Sequence, residues 1–148
     1  MSEQVLEITG VQVDHLMIAI PSQDVLAIER PKISLVPSTQ AWLEGVTLYG
    51  DIIIPVINLC KVLNTEPRTS RFAYVVIGTE DAPLAVIGVS RVVSKFSIEE
   101  SEVYPITAAS NPIFDNVVGI LKTKTADWNL FNINSFLSDE RIKEIGIS

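Results

Sequence analysis

The apolar positions of this chain fall into short segments, each of about five residues, rather than into long periodic stretches. Gly, Pro, Asn, Ser and Asp separate them, and short apolar runs bounded by such residues are typical of strands. The pattern therefore predicts a mainly β protein built as one or two small antiparallel barrels. The predicted strands cover residues 5–8, 11–13, 15–20, 24–28, 33–36, 51–57, 72–78, 84–98, 117–123 and 129–133.

The densest apolar segment is "DIIIPVI", residues 51–57. Its apolar residues occupy both alternating faces, which is expected of a strand covered on both sides. Gly50 and Asp51, which precede the isoleucines, suit a tight turn. Pro55 removes a backbone donor from the ladder, so the pattern places it at a strand edge or a bulge.

Only two segments have helical spacing. Residues 58–64 carry apolar positions at i, i+3 and i+4, which predicts a short helix after the densest strand. Residues 138–146 begin after a cap candidate, Ser138, and end at Gly146, which predicts a C-terminal helix packed on the barrels.

Composition and charge narrow the classes of function. The chain has 148 residues, enough for one domain with a real core, and 47% of them are apolar against 20% charged. That excess favours an apolar surface kept for a protein partner. The formal net charge of −7 and the absence of a Lys/Arg cluster exclude nucleic-acid binding and disfavour anionic lipid. Without a secretory signal or an apolar run near ~18 residues, we expect a cytoplasmic protein without membrane insertion.

The residues that could carry chemistry are few. The chain has one cysteine, Cys60, in an apolar helix-like turn, and one histidine, His15, beside a strand. We expect Cys60 to be buried as a small hydrophobe and His15 to lie at the surface. No nucleotide-binding, hydrolase or metalloprotease motif is present, and one His with one Cys cannot build a closed zinc site. We therefore expect no catalytic residue, no metal ligand and no cofactor.

Two further groups of residues could suggest a functional site, but each has a simpler structural explanation. The acidic run at residues 99–102 is expected to be a solvated turn. Trp42 and Trp128 are expected in the core, although an aromatic at Trp42 also suits a partner anchor.

The stretch from Val25 to Leu63 resembles the first half of the CheW-like domain family of bacterial chemotaxis adaptors. The resemblance rests on the spaced pair Val25 and Ile28 and on three quoted segments, "LVPSTQAWLEGV", "LYG" and "DIIIPVINL". It continues in "LAVIGVSRV", "EVYPI", "VVGIL" and "LFNINSFL", and covers nearly all of residues 8–137. It implies two five-stranded SH3-like β-barrels that share an apolar core.

The resemblance also implies how the chain is divided. The first lobe is expected at about residues 14–66, and the second at about 67–137 with the N-terminal strand completing it. The C-terminal helix, 138–146, would follow, and all of it would form one domain.

The resemblance implies a non-enzymatic adaptor that couples chemoreceptors to a CheA-type histidine kinase, in chemotaxis or a related pathway such as pilus motility. Its partners would be the kinase's regulatory domain and the cytoplasmic tip of a chemoreceptor, at the membrane-associated receptor array. Apolar strand surfaces and a groove between the lobes would make the contacts. The implied partner-binding residues are Val25, Ala27, Ile28, Gly45, Tyr49, Gly50, Asn58 and Ser90.

Three of these residues depart from the family pattern. Tyr49 stands where the family has Arg, while Asn58 and Ser90 stand where it has Asp. One hypothesis is that a single ion-pair network was lost as a unit, since removing one member alone would be costly. A second is that Tyr49 takes the place of the guanidinium and changes partner preference, which puts receptor docking in question.

Two alternatives stay open at this point. One is a CheW-like regulator that binds the kinase without ordinary receptor docking. The other is a small β-barrel that binds a ligand, which would require a polar-lined pocket.

Overall fold

The computed structural model describes residues 5–37, 41–62, 73–79, 81–99, 103–105, 117–124 and 126–132. These residues form eleven strands, one 3₁₀ turn and one short α-helix. The strands are β1 (Val5–Val13), β2 (Leu16–Pro21), β3 (Val25–Ile28), β4 (Leu43–Tyr49), β5 (Ile52–Asn58), β6 (Ala73–Gly78), β7 (Pro83–Val89), β8 (Arg91–Glu99), β9 (Val103–Pro105), β10 (Val117–Lys122) and β11 (Asp127–Phe131). The 3₁₀ turn is Ser22–Asp24 and the helix is α1 (Leu59–Val62).

The strands are arranged in two sheets. A six-stranded sheet has the order β8-β1-β2-β11-β10-β9, and a five-stranded sheet has the order β3-β6-β7-β5-β4. Most neighbours are antiparallel, but β11 runs parallel to β2 and β5 runs parallel to β7. The chain therefore returns to each sheet by a crossover as well as by hairpins.

Three apolar clusters hold the sheets together. The largest lies between the sheets, and we call it the seam; it joins β1 and β2 to β5, β6 and β7 and includes Leu59 and Cys60 of α1. A second cluster, built on Ile8, Leu121 and Trp128, fills the lobe of the six-stranded sheet. A third, which we call the inner cluster, fills the lobe of the five-stranded sheet and contains Ile54, Val56, Val76 and Val86. The expectation of a mainly β protein with two barrel-like lobes sharing an apolar core is confirmed.

The sheets do not follow the expected lobe boundaries. β2 lies in the six-stranded sheet although residues 14–66 were assigned to the first lobe, and β6 and β7 lie in the five-stranded sheet with β3, β4 and β5. The reason is the parallel pairing of β7 with β5, in which Val56 is opposite Val86. One sheet also has six strands where five were expected.

Strand predictions differ from the structure in three places. Residues 5–8 and 11–13, predicted as separate strands, belong to one continuous strand, β1. Residues 33–36 do not form a strand; they contribute one isolated bridge, between Ser34 and Val46. The apolar segment 84–98 is broken at Ser90, so that its two halves, β7 and β8, belong to different sheets.

Several side chains are where the sequence placed them. Trp42, Trp128 and Cys60 are buried, and His15 is exposed with its Nδ1 atom 2.9 Å from Asp14 Oδ2. The C-terminal helix predicted at 138–146 lies outside the described residues, as do the last two residues of the helix predicted at 58–64.

Candidate functional site

The β4–β5 hairpin carries half of the implied site residues, and two glycines shape it. At Gly45 φ is +153°, the register with β5 shifts, and an ideal Cβ would collide with the Ser34 carbonyl oxygen. Only glycine fits there, because the segment before β4 passes directly over its backbone. Gly50 lies in the turn with φ +60° and open space around it.

Pro55 shows where β5 changes from an edge strand to an inner one. Val46, opposite Pro55, bonds through both its N–H and its C=O to Ser34, at 2.9 and 2.8 Å. Val46 and Pro55 are therefore a non-hydrogen-bonded pair, and the proline nitrogen faces away from β4. On that side β5 pairs with β7 only from Val56 onward. The missing donor thus costs no ladder bond, and the edge position predicted for Pro55 is what the structure shows.

Before Val56, the hairpin exposes large apolar side chains. Leu48 and Ile53 are directly opposite each other and are 66% and 61% exposed. Opposite residues share a face, and so do residues two apart, so Val46 and Pro55 lie on the same face as this pair. We call these four residues the hairpin stripe. Ile57, on the same face, is buried in the seam. The stripe therefore continues this face of the five-stranded sheet past the part that is buried in the seam.

The three implied residues of β3 have different environments. Val25 packs against the seam and Ala27 against the inner cluster, and both are half-buried. Ile28 is exposed at the end of the strand. Of the three, Ile28 is the most accessible to a partner.

The remaining implied residues lie at opposite ends of the hairpin. Tyr49 is opposite Ile52 at the start of β5, next to Gly50, whereas Asn58 ends that strand. Six residue steps of a strand separate the ends by about 20 Å. Ser90 lies near the Asn58 end, since Asn58 is opposite Gly88 in the parallel pair. The hypothesis of one ion-pair network through all three positions is therefore wrong, because side chains this far apart cannot pair.

Asn58 and Ser90 have structural contacts of their own. The Asn58 N–H donates to the Trp42 carbonyl at 2.7 Å, and Asn58 Oδ1 accepts the Lys61 N–H at 3.3 Å, which caps α1. Ser90 Oγ accepts the Asp14 N–H at 2.8 Å and lies 3.8 Å from Cys60 Sγ. These residues tie α1 and the β1–β2 turn to the sheets, and Asn58 is buried from solvent.

Tyr49 is half-buried and packs against the inner cluster. Its ring therefore extends the apolar filling of the lobe, where an arginine would have to bring its charge to the surface.

A polar contact that the sequence did not indicate lies at the Asn58 end. Glu44, in the irregular part of β4, is half-buried, and its Oε2 atom is buried without a hydrogen-bond partner among the described residues. Burial raises the pKa of this carboxyl, while a hydrogen bond with Tyr74 and the charge of Lys61 lower it. The pKa of Tyr74 is raised by its own burial and by Glu44. Glu44 and Tyr74 lie on strands that are three positions apart in the sheet order, so no local sequence pattern indicates their contact.

The described segments contain no group of three or more His, Cys, Asp or Glu residues that could hold a metal ion. Among those segments, no helix is long and apolar enough to cross a bilayer.

Comparison with known proteins identifies the architecture. The family profile of the CheW-like domain matches residues 7–141. This chain belongs to the CheW-like domain family. A curated relative is the chemotaxis protein CheW of Thermotoga maritima, 24% identical over 140 residues that cover 93% of this chain and 91% of the relative.

A solved CheW-like structure shows the same fold. It is the scaffolding protein TtCheW of Thermoanaerobacter tengcongensis, with a TM-score of 0.81, 20% identity, and coverage of 93% of this chain and 95% of that one. In this CheW-like chain the hairpin stripe occupies both strands of the β4–β5 hairpin.

Proposed function

We propose that this CheW-like protein is a non-enzymatic adaptor that couples chemoreceptors to a CheA-type histidine kinase. The observation that supports the proposal is the hairpin stripe. Leu48 and Ile53 expose aliphatic surface on the face that also forms the seam, so a partner seated there would continue an apolar interface already present.

The stripe has the chemistry of an interface centre. Leu48 and Ile53 lie on a paired hairpin whose backbone is held on one side by the Ser34–Val46 bridge, so they are presented on a fixed surface. An apolar centre surrounded by polar residues is typical of protein contacts, and a few central side chains usually carry most of the binding energy. Among the implied site residues on this lobe, Ile28 and Gly50 are exposed, and Val25, Ala27 and Tyr49 are half-buried.

The test measures binding of the purified protein to the regulatory domain of a CheA-type kinase and, separately, to a receptor cytoplasmic tip. Leu48→Asp and Ile53→Asp should each weaken at least one of the two complexes by about tenfold or more, since a charge would be buried at a desolvated centre. Val5→Asp, at an exposed apolar position in the other sheet, is the matched control. If neither partner binds the wild-type protein, the adaptor proposal is wrong.

Tyr49 favours a second candidate, a CheW-like regulator that binds the kinase without ordinary receptor docking. Its ring packs on the inner cluster where the family has an arginine, so any family contact made by that guanidinium is missing here. In this case the wild-type protein would bind the kinase domain alone, and Tyr49→Arg would increase binding of the receptor tip. Unchanged affinity of Tyr49→Arg for both partners would exclude a role for this position in partner choice.

The ligand-binding alternative is tested in the same assay. A protein that binds neither partner but gains thermal stability from a small molecule would belong to that class.

A further inference from the structure

The six-stranded sheet ends in a long strand, β8, that is paired on one side. Its neighbour is β1, and among the described strands none pairs with its other side. Only three residues separate β8 from β9, yet these two strands form the opposite edges of the sheet. The outer edge of β8 therefore has backbone donors and acceptors that a further strand could use.

The second half of β8 has an alternating pattern with a polar outer face. Lys95, Ser97 and Glu99 are exposed and lie two residues apart, so they share that face, while Ile98 is buried inside the lobe. Ser97 Oγ donates to the Glu7 carboxylate on β1, at 2.9 Å, which fixes the serine on the outer side. The outer face of this edge thus reads base, hydroxyl, acid along the strand.

This order of charges is complementary to itself. If the same strand of a second copy pairs antiparallel and the pairing is centred on Ser97, Lys95 of each copy lies opposite Glu99 of the other. Opposite charges directly across two strands stabilise the pair, and like charges destabilise it. Centring the pairing on Lys95 would oppose two ammonium groups, so charge favours the first register. A shift by one residue would place outer side chains opposite inner ones.

We propose that two copies of this chain associate through residues 95–99 of β8, which pair antiparallel across a two-fold axis at Ser97. The contact is the same patch on both copies, so it closes on itself as a dimer. The hairpin stripe lies on the other sheet, so each copy keeps it and the dimer presents two such surfaces. The inference goes beyond the adaptor function and does not depend on it.

Sedimentation of the purified chain at about 50 mM NaCl, where charges are weakly screened, measures the association. Five paired residues make a small contact, so we expect a reversible dimer that forms as the concentration rises from about 10 to about 500 µM. Lys95→Glu and Glu99→Lys should each raise the dimer dissociation constant about tenfold, because each places like charges opposite each other at two symmetric positions. Lys95→Glu/Glu99→Lys restores opposite charges and should return to within about threefold of wild type.

A cysteine variant at the axis locates the contact. Directly opposite Cα atoms of antiparallel strands are about 4.5–5.5 Å apart, within the range that a disulfide spans. Ser97→Cys should therefore form a disulfide-linked dimer under mild oxidation, while the native Cys60 is buried. Ser94→Cys is the matched control, since Ser94 is exposed on the same strand but would lie about 20 Å from its equivalent in this register.

The results separate the β8 contact from other modes of association. A wild-type chain that stays monomeric at every concentration overturns the proposal. A dimer that both charge variants leave unchanged, or that crosslinks as fast through Ser94→Cys as through Ser97→Cys, forms elsewhere and overturns it too. Rescue by Lys95→Glu/Glu99→Lys together with selective crosslinking through Ser97→Cys supports it. Thermal unfolding of each variant shows that a lost dimer is not a lost fold.

Discussion

The two halves of β5 are equally apolar and have opposite surroundings. In the first half, Ile52 and Ile53 are 43% and 61% exposed, whereas in the second half Val56 and Ile57 are fully buried. The first half pairs only with β4, and the second lies between β4 and β7. On the face shared by Ile53 and Ile57, burial therefore depends on which strands reach β5 and not on its own hydrophobicity, whereas Ile54, on the opposite face, is buried in the inner cluster.

Pro55 stands at the boundary between these halves. A strand buried on both sides needs donors on both sides, and Pro55 has none to offer to β7. The pairing with β7 begins one residue later, at Val56. The exposed half can therefore contact a partner while the buried half holds the two sheets together.

The largest expected effect is on folding stability, from truncating the buried half. Ile57→Ala removes a fully buried side chain from the seam and should lower the free energy of unfolding by about 2–5 kcal/mol. Ile53→Ala, in the exposed half, should change it by less than about 0.5 kcal/mol. Urea denaturation of both variants measures the difference. Equal losses would show that the exposed half is packed in solution, which would contradict the stripe.

The next largest effect is expected at the two hairpin glycines. Gly45→Ala places a Cβ against the Ser34 carbonyl at an unfavourable φ, and should cost about 1–3 kcal/mol. Gly50→Ala meets no neighbouring atom and should cost about 1 kcal/mol, the usual penalty of a left-handed residue with a Cβ. Thermal unfolding of the two variants shows which substitution destabilises the protein more. The reverse order would mean that the segment at Ser34 does not cover β4.

A smaller effect is expected where β5 enters α1. Asn58→Ala loses the side-chain oxygen that accepts the Lys61 N–H at the start of α1, and should destabilise the protein by about 1 kcal/mol. Asn58→Asp keeps an acceptor oxygen at the same position, so it serves as the matched comparison. If Asn58→Ala unfolds at the same denaturant concentration as wild type, the cap contributes nothing and Asn58 is free to have another role.

The sequence predicted what depends on local patterns. Strand residues such as 24–28 and 51–57, the turn at Gly50 and the buried Trp42 and Trp128 follow from alternation, turn chemistry and hydrophobicity. The family resemblance, quoted from short motifs, is confirmed by the match over residues 7–141.

The sequence did not predict what depends on strand order. The placement of β6 and β7 beside β5, and the separation of Tyr49 from Asn58, follow from a parallel crossover that leaves no local signal. For the same reason, the set of partner-binding residues remains a prediction. Val25, Ala27 and Asn58 were selected because they match a motif, but their burial is set by neighbours distant in sequence.

The smallest effect we predict concerns Glu44, at the buried end of the hairpin, and it depends on pH. Burial raises the pKa of its carboxyl above the usual 4.5, so the folded state holds this proton more tightly than the unfolded chain. The corresponding stability is fully present below the unfolded pKa and is lost as the pH rises through the folded value. Glu44→Gln should therefore gain in stability relative to wild type as the pH rises from about 4 to 7.

Denaturation midpoints across that pH range measure the effect, with Glu29→Gln, at an exposed position, correcting for the change in net charge. The gain should be small, because Glu44 is only half-buried and its hydrogen bond with Tyr74 and the charge of Lys61 oppose the effect of burial. A difference between Glu44→Gln and wild type that stays constant with pH would mean that the carboxylate is solvated. The bulge would then be open to water at the Asn58 end, and the contrast between the two ends of the hairpin would rest on its apolar residues alone.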